Sequence, residues 1–479
     1  MNKSGAVVTI HQAIPRSPEL CFQEPISWQI CTKEQWAVIG PNGGGKTILA
    51  GILQKRHALK EGKVTFGIEG KVHEIVRGIA FKDIHSLTDC RNTYYQQRWH
   101  ATETHELPTV KDLLGETSSV LFEELQSIFD INEHIRKQVI HLSSGELRKL
   151  LIIRTLLLNP RILILDNPFI GLDAPSRDVL VDMLDQMSKL RHLQTILLLS
   201  NPSDIPQIVT HVLPVSDRTC HTPLPIADFM TDQTIQSGLF PEHTSPITLS
   251  VPESTSNHLI TLRMENVSIG YNSRTILENI NWEVKNGEKW ALCGPNGSGK
   301  SLLLSLIYAD NPQAYAQIIY LFDRKRGTGE SIWDIKKRIG YVSPEMHLYY
   351  MEDVSALAVV CSGFFDSIGL FRKCNDTQQK TAIKWMKIFN IEYLRERPFL
   401  SLSSGEQRLV LLTRTFVKNP DLIILDEPLH GLDISNKQHA SQIIETFCAL
   451  PNKTLIYVTH YPHELPPCVT KRFDLIKRA

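Results

Sequence analysis

Apolar residues fall along this chain in short unbroken runs that end on charged or amide side chains. Leu422-Ile423-Ile424-Leu425 runs into Asp426 and Glu427 and stops at Pro428. Ile162-Leu163-Ile164-Leu165 runs in the same way into Asp166, Asn167 and Pro168. Runs of this kind, without alternation, predict parallel strands buried on both faces, delivering polar groups at the end of a sheet where ligands bind. Residues 27–31, 35–39, 196–199 and 454–458 read as further strands. Apolar residues at helical spacing predict a helix over 147–158, and 109–136 reads as helices, whereas 78–99 is polar and irregular.

The pattern occurs twice. Trp28 and Trp282, Trp36 and Trp290, Gly40 and Gly294, and Lys46 and Lys300 each lie 254 residues apart. Ser143 and Ser403, Asp166 and Asp426, and Asp173 and Asp433 each lie 260 apart. A net insertion of six residues separates the two blocks, so one domain architecture is present in duplicate and a solenoid is excluded. Residues 213–258 are rich in Pro, Ser and Thr, most of all from His243 to Asn257. The expected division is a first domain at 1–235, a linker at 236–258 and a second domain at 259–479.

Each half carries the pattern G-x-x-x-x-G-K-[ST] between a strand and a helix. The first is Gly40-Pro41-Asn42-Gly43-Gly44-Gly45-Lys46-Thr47 and the second is Gly294-Pro295-Asn296-Gly297-Ser298-Gly299-Lys300-Ser301. Glycines let successive backbone N–H groups turn inward around phosphates, the lysine reaches the β/γ oxygens, and the hydroxyl suits Mg²⁺. Ser143-Ser144-Gly145-Glu146 and Ser403-Ser404-Gly405-Glu406 stand at helix starts, where a hydroxyl and free N–H groups face an anion. Taken alone, such a start is an ordinary helix cap.

The order P-loop, Leu-Ser-Ser-Gly-Glu, strand-Asp and Gly-Leu-Asp resembles the ATP-binding cassette (ABC) ATPases over nearly the whole chain, twice. The resemblance implies an α/β fold: a duplicated P-loop nucleotide-binding domain, each copy with a RecA-like mixed sheet core and a helical subdomain. It implies ATP and Mg²⁺ as ligands, with Ser301 and Asp426 holding the metal in the second half and Thr47 and Asp166 in the first. Glu427 is placed as the base that polarises the attacking water, His460 as a γ-phosphate contact, and Tyr271 as the adenine-stacking aromatic. In the family each signature serine reaches the nucleotide of the opposite domain, so the two halves are expected to pair head to tail. Site two then comprises Lys300, Ser301, Asp426, Glu427 and His460, closed by Ser143 and Gly145. Site one comprises Lys46, Thr47 and Asp166, closed by Ser403 and Gly405.

Site one departs from the pattern. Asn167 stands where the second half has Glu427, and Ser200 where it has His460. An amide cannot take a proton from water, and losing a general base costs roughly 10²–10⁴-fold in rate. Site one is therefore expected to hold ATP and site two to hydrolyse it. Ser17 replaces the adenine-stacking tyrosine, with Phe22 the candidate substitute. Acids, Asp83 and Glu345, fall where the family places a glutamine.

The second half, through Phe322-Asp323-Arg324-Lys325-Arg326-Gly327-Thr328-Gly329-Glu330 and Gly363-Phe364-Phe365-Asp366-Ser367-Ile368-Gly369, is similar to the ModF/PhrA-type tandem cassettes, a subgroup associated by name with molybdate transport. That resemblance implies the energising subunit of a membrane transporter, coupled through 84–140 and 345–400 to integral-membrane subunits in other chains. The competing expectation is a soluble mechanochemical switch of the translation or repair kind, and a third is a pseudo-enzyme that only binds ATP. Charge weighs against nucleic acid, because Lys+Arg and Asp+Glu are equal at 51 each. The nine cysteines lack close pairs and read as reduced cytosolic thiols. No signal peptide and no run of the ~20 apolar residues that span a bilayer is seen, so a cytoplasmic protein, peripheral to the membrane's inner face if it serves transport, is expected.

Overall fold

The computed structural model describes residues 5–80, 108–115, 120–129, 135–139, 142, 144–169, 172, 174–241, 247–249, 257–271, 274–295, 297–308, 310–369, 372–461 and 464–476. Within them the duplication extends from motif to topology. The second half contains a five-stranded parallel sheet ordered Ile339–Val342, Leu422–Asp426, Thr454–Val458, Lys289–Cys293 and Lys471–Asp474. The first half repeats that order with Val76–Ile79, Ile162–Asp166, Gln194–Leu199, Trp36–Ile39 and His211–Ser216, and adds two short antiparallel strands at one edge. Every residue of Leu422–Asp426 is buried, as an all-apolar central strand requires.

A smaller antiparallel sheet lies beside each parallel one. It is built from Ala6–Pro15, Ile26–Cys31 and Leu59–Phe66 in the first half, and from Ile260–Tyr271, Arg274–Lys285, Ile318–Leu321 and Arg324–Lys325 in the second. The tryptophan repeat joins the two sheets. Trp28 meets Trp36 edge to face at 5.2 Å, and Trp282 meets Trp290 in the same manner at 5.8 Å. Even the indole partners repeat: Trp36 Nε1 donates to Glu34 at 3.1 Å and Trp290 Nε1 to Glu288 at 2.8 Å.

Helices form the third layer. In the second half helix Asp376–Ile388, beside Ala356–Ser362 and Ser404–Phe416, carries Trp385, which packs against Phe389, Phe416 and, on helix Ile434–Cys448, Phe447. In the first half the region 109–136 holds helices Val110–Leu114 and Val120–Phe129. Gly78 and Ile79, at the start of the stretch 78–99, belong to strand Val76–Ile79, paired in register with Ile162–Leu165, and residues 81–99 lie outside the description. Near the junction of the halves, helix Gln233–Leu239 runs across position 235 and sends Leu239 into the first core. Ile247 and Leu249 pack on the second core.

Candidate active site

Both P-loops are built by the same turn. Strand Trp36–Ile39 leads into the loop, and helix Lys46–Leu53 starts from Gly45 at φ 112°; strand Lys289–Cys293 leads into the other, and helix Lys300–Ile307 starts from Gly299 at φ 94°. Side chains rarely adopt that left-handed backbone, which leaves the helix's first N–H groups pointing into the loop, where an anion is favoured. Each lysine folds back over its loop. Lys46 Nζ donates to the carbonyls of Gly40 at 2.7 Å and Pro41 at 2.8 Å, and Lys300 Nζ to those of Gly294 at 2.7 Å and Pro295 at 3.0 Å. Burial lowers the Lys46 ammonium to about 8, against the pull of Asp166, Asp433 and Glu406.

The residues that end the central strands sit on matching backbone. Asn167 has φ 49° and Glu427 φ 48°, and their N–H groups donate to Leu198 O at 3.0 Å and Val458 O at 2.9 Å. Their side chains do different things. Asn167 Nδ2 donates to Asp166 Oδ1 at 3.0 Å, while the Thr47 hydroxyl donates to Asp166 Oδ2 at 2.8 Å. Glu427 instead accepts from His460 Nε2 at 3.0 Å on one oxygen and from His430 Nδ1 at 2.9 Å on the other. Burial alone would push the Glu427 carboxyl up, but the hydrogen bonds from His430 and His460 outweigh it and hold the group well below the usual carboxylate range. Asp426 goes the other way: burial, then the charges of Glu345 and Glu427, push it well up, against Lys300. Ser200, at the position of His460, donates to Asn42 Oδ1 at 3.0 Å.

The first P-loop is closed by the second half. Asn42 N–H donates to Asp433 Oδ2 at 2.9 Å, and its side-chain amide to Gly431 O at 3.3 Å. Gly405 approaches so closely that a Cβ there would lie 2.0 Å from Asn42 Nδ2. Ser403 caps helix Ser404–Phe416, exchanging hydrogen bonds with Glu406 in a capping box. Across the other site, Tyr461 Oη donates to Leu172 O at 3.2 Å. Ser143, Asp173, Asn296 and Asp83 lie outside the described residues, as do the side chains of Ser144, Tyr271 and any contact of Gly145. Phe22 lies against Gly45, the place that Ile276 and Leu277 take against Gly299.

Three features were not anticipated from the sequence. His430 is one, although a histidine three residues after Glu427 was there to be read. Another is Arg408, whose Nη1 donates to Glu427 O at 3.5 Å and whose guanidinium burial lowers to about 10. The third is the Asn42–Asp433 hydrogen bond, between groups 391 residues apart, which no local signal could reveal.

The residues present fit a magnesium nucleotide. Thr47 and Asp166 bring a hydroxyl and a carboxylate together, the hard oxygen donors that Mg²⁺ prefers. The crowding that pushes Asp426 up is what a bound cation relieves.

The sequence pattern of the ABC transporter family matches residues 23–170 and 277–430. The chain is 34% identical to the ABC transporter ATP-binding protein ModF of Escherichia coli over 460 residues, covering 92% of this chain and 91% of that one. It is 30% identical to an uncharacterized ABC transporter ATP-binding protein of Schizosaccharomyces pombe over 93% of both. Among solved structures, the RNase-L inhibitor is similar in fold across 94% of this chain and 84% of its own, with a TM-score of 0.51 and 16% identity.

Proposed function

The chain belongs to the ABC transporter family, as a tandem ATP-binding protein of the ModF type, and from that premise we propose that it hydrolyses ATP at one composite site and holds ATP at the other. The observation that carries this reading is the contrast between Glu427 and Asn167 on the same backbone turn. Glu427 is a carboxylate one residue beyond Asp426, able to accept a hydrogen bond from water. Asn167 is an amide already committed to Asp166. In site two Lys300 draws the phosphates in, Ser301 and Asp426 would hold the metal, and His460, the expected γ-phosphate contact, donates Nε2 to Glu427. Bound Mg²⁺ supplies charge neutralisation at the phosphate oxygens. Glu427 orients the attacking water and takes its proton, a contribution of roughly 10²–10⁴-fold. Site one keeps the lysine, the hydroxyl and the metal carboxylate, which suffice to bind. Steady ATP turnover by the full chain, lost on Lys300→Ala, is the expected result; turnover that survives this change places hydrolysis elsewhere, and no turnover in the native chain leaves a protein that only binds.

The work done with that energy is proposed as transport, with this chain as the energising subunit. Among the described residues no helix is long and apolar enough to cross a membrane, so membrane-spanning subunits would be supplied by other chains. The resemblance of the second half to the molybdate-associated subgroup makes a metal oxyanion the proposed cargo. A mechanochemical switch uncoupled from transport is the second reading, favoured by the closure of the first P-loop within one chain. Capture of the tagged chain from solubilised membranes separates them: a stoichiometric integral-membrane partner supports transport, and ribosome or nucleic-acid co-purification without one supports the switch.

A further inference from the structure

The Glu427 carboxylate has an imidazole on each of its oxygens, and the family's pattern accounts for only one. A carboxylate accepts and cannot donate, so His460 Nε2 and His430 Nδ1 must both carry the hydrogen, at 3.0 and 2.9 Å. His430 is buried, on the turn between strand Leu422–Asp426 and helix Ile434–Cys448. Its ring meets Tyr461 edge to face, with centroids 5.8 Å apart, and it is Tyr461 whose hydroxyl reaches Leu172 in the first half.

The turn itself does not require this imidazole. Its backbone closes through Leu432 N–H to Leu429 O at 3.2 Å, and the first half closes the equivalent turn through Leu172 N–H to Phe169 O, also at 3.2 Å. The first half does so with isoleucine at position 170, where the second has His430. Glu427, His430, His460 and Tyr461 are matched there by Asn167, Ile170, Ser200 and Asn201. The carboxylate, both imidazoles and the tyrosine are present together in one half and absent together from the other.

We propose that His430 is a positioning residue for ATP hydrolysis: it anchors the second oxygen of Glu427, so that with His460 it fixes the plane of the carboxylate, and through Tyr461 it ties that orientation to the first half of the chain. The inference rests on the reading that site two hydrolyses ATP. A carboxylate held by one donor can swing about its side-chain torsions, whereas one held at both oxygens is pre-set, and loss of orientation of about an ångström costs up to ~10²-fold.

The test is steady-state ATPase activity of the full chain with nucleotide binding read on the same samples. His430→Leu removes the donor and is expected to lower kcat about 10- to 100-fold while KM for ATP stays within about twofold. His430→Asn sets an amide N–H near the place of Nδ1 and is expected to recover most of that loss. Tyr461→Phe should lower kcat in the same direction and add little to His430→Leu, because both act on one anchor. Full kcat in His430→Leu overturns the proposal, and so does a loss as large in His430→Asn, which would mean that ring volume rather than the hydrogen bond matters. If His430→Leu loses nucleotide binding, His430→Gln decides against His430→Asn: its longer amide misses the position of Nδ1, so equal activity of the two overturns the proposal and a deficit in Gln alone supports it. Glu427→Gln separates the two levels of failure. If it too leaves turnover intact, the hydrolytic reading of site two falls; if it abolishes turnover while His430→Leu does not, only the role of His430 falls.

Discussion

Asn167 and Glu427 differ in φ by one degree, and each donates its N–H to a carbonyl on the neighbouring strand. The backbone therefore presents both side chains alike, and the difference between the sites is one of chemistry: an acceptor flanked by imidazoles against a donor bound to Asp166. This was legible in the sequence, because the residue after a strand-ending aspartate has only one place to go. What the sequence hid was how Glu427 is held, since His430 and His460 are assigned by side-chain packing and not by the strand. Lys46 gives a residue-scale prediction. Burial lowers its ammonium to about 8. Phosphate beside it raises that value again, so binding takes up a proton wherever the free lysine is neutral. ATP affinity at site one should be level below pH 8 and fall by as much as about tenfold per pH unit above it. Titrating ATP binding from pH 7 to 9.5 in a Lys300→Ala background, where site one alone reports, checks this; a flat profile contradicts it.

At the scale of elements, the runs Leu422–Leu425 and Ile162–Leu165 marked their strands because a two-sided buried strand has no polar face to show, and both are the second strand in their sheets. The short strand Val76–Ile79 has no strand signature of its own, because Arg77 and Gly78 interrupt its apolar character, and pairing with Ile162–Leu165 makes it a strand. The helices of the second half draw on an aromatic cluster that periodicity does not announce. Trp385 is fully buried, with Phe416 at 5.2 Å and Phe447 at 6.1 Å. Truncating it leaves a cavity between helices Asp376–Ile388, Ser404–Phe416 and Ile434–Cys448. Trp385→Ala is expected to destabilise the second domain by about 3–5 kcal/mol. Calorimetry should show its transition moved down with the first domain's little changed; an unshifted transition would mean that the cluster carries no packing energy.

At the scale of the whole molecule, duplication makes the protein more than two ATP-binding domains in series. Asp433 caps helix Ile434–Cys448 through Asn436 N–H with one oxygen and receives Asn42 N–H with the other, so the end of the turn after Glu427 also closes the opposite P-loop. Tyr461 at Leu172 is the connection in the other direction. The offsets of 254 and 260 residues announced two like domains, but which atoms meet between them depends on docking, which no local sequence pattern encodes. On the proposed division of labour, chemistry belongs to site two and retention to site one. Single-turnover ATP hydrolysis by the full chain, compared between Glu427→Gln and Asn167→Ala, tests it most directly. Glu427→Gln is expected to slow the chemical step by at least about 10²-fold while ATP still binds, and Asn167→Ala to leave that step near the native rate. Equal slowing by the two substitutions would contradict it.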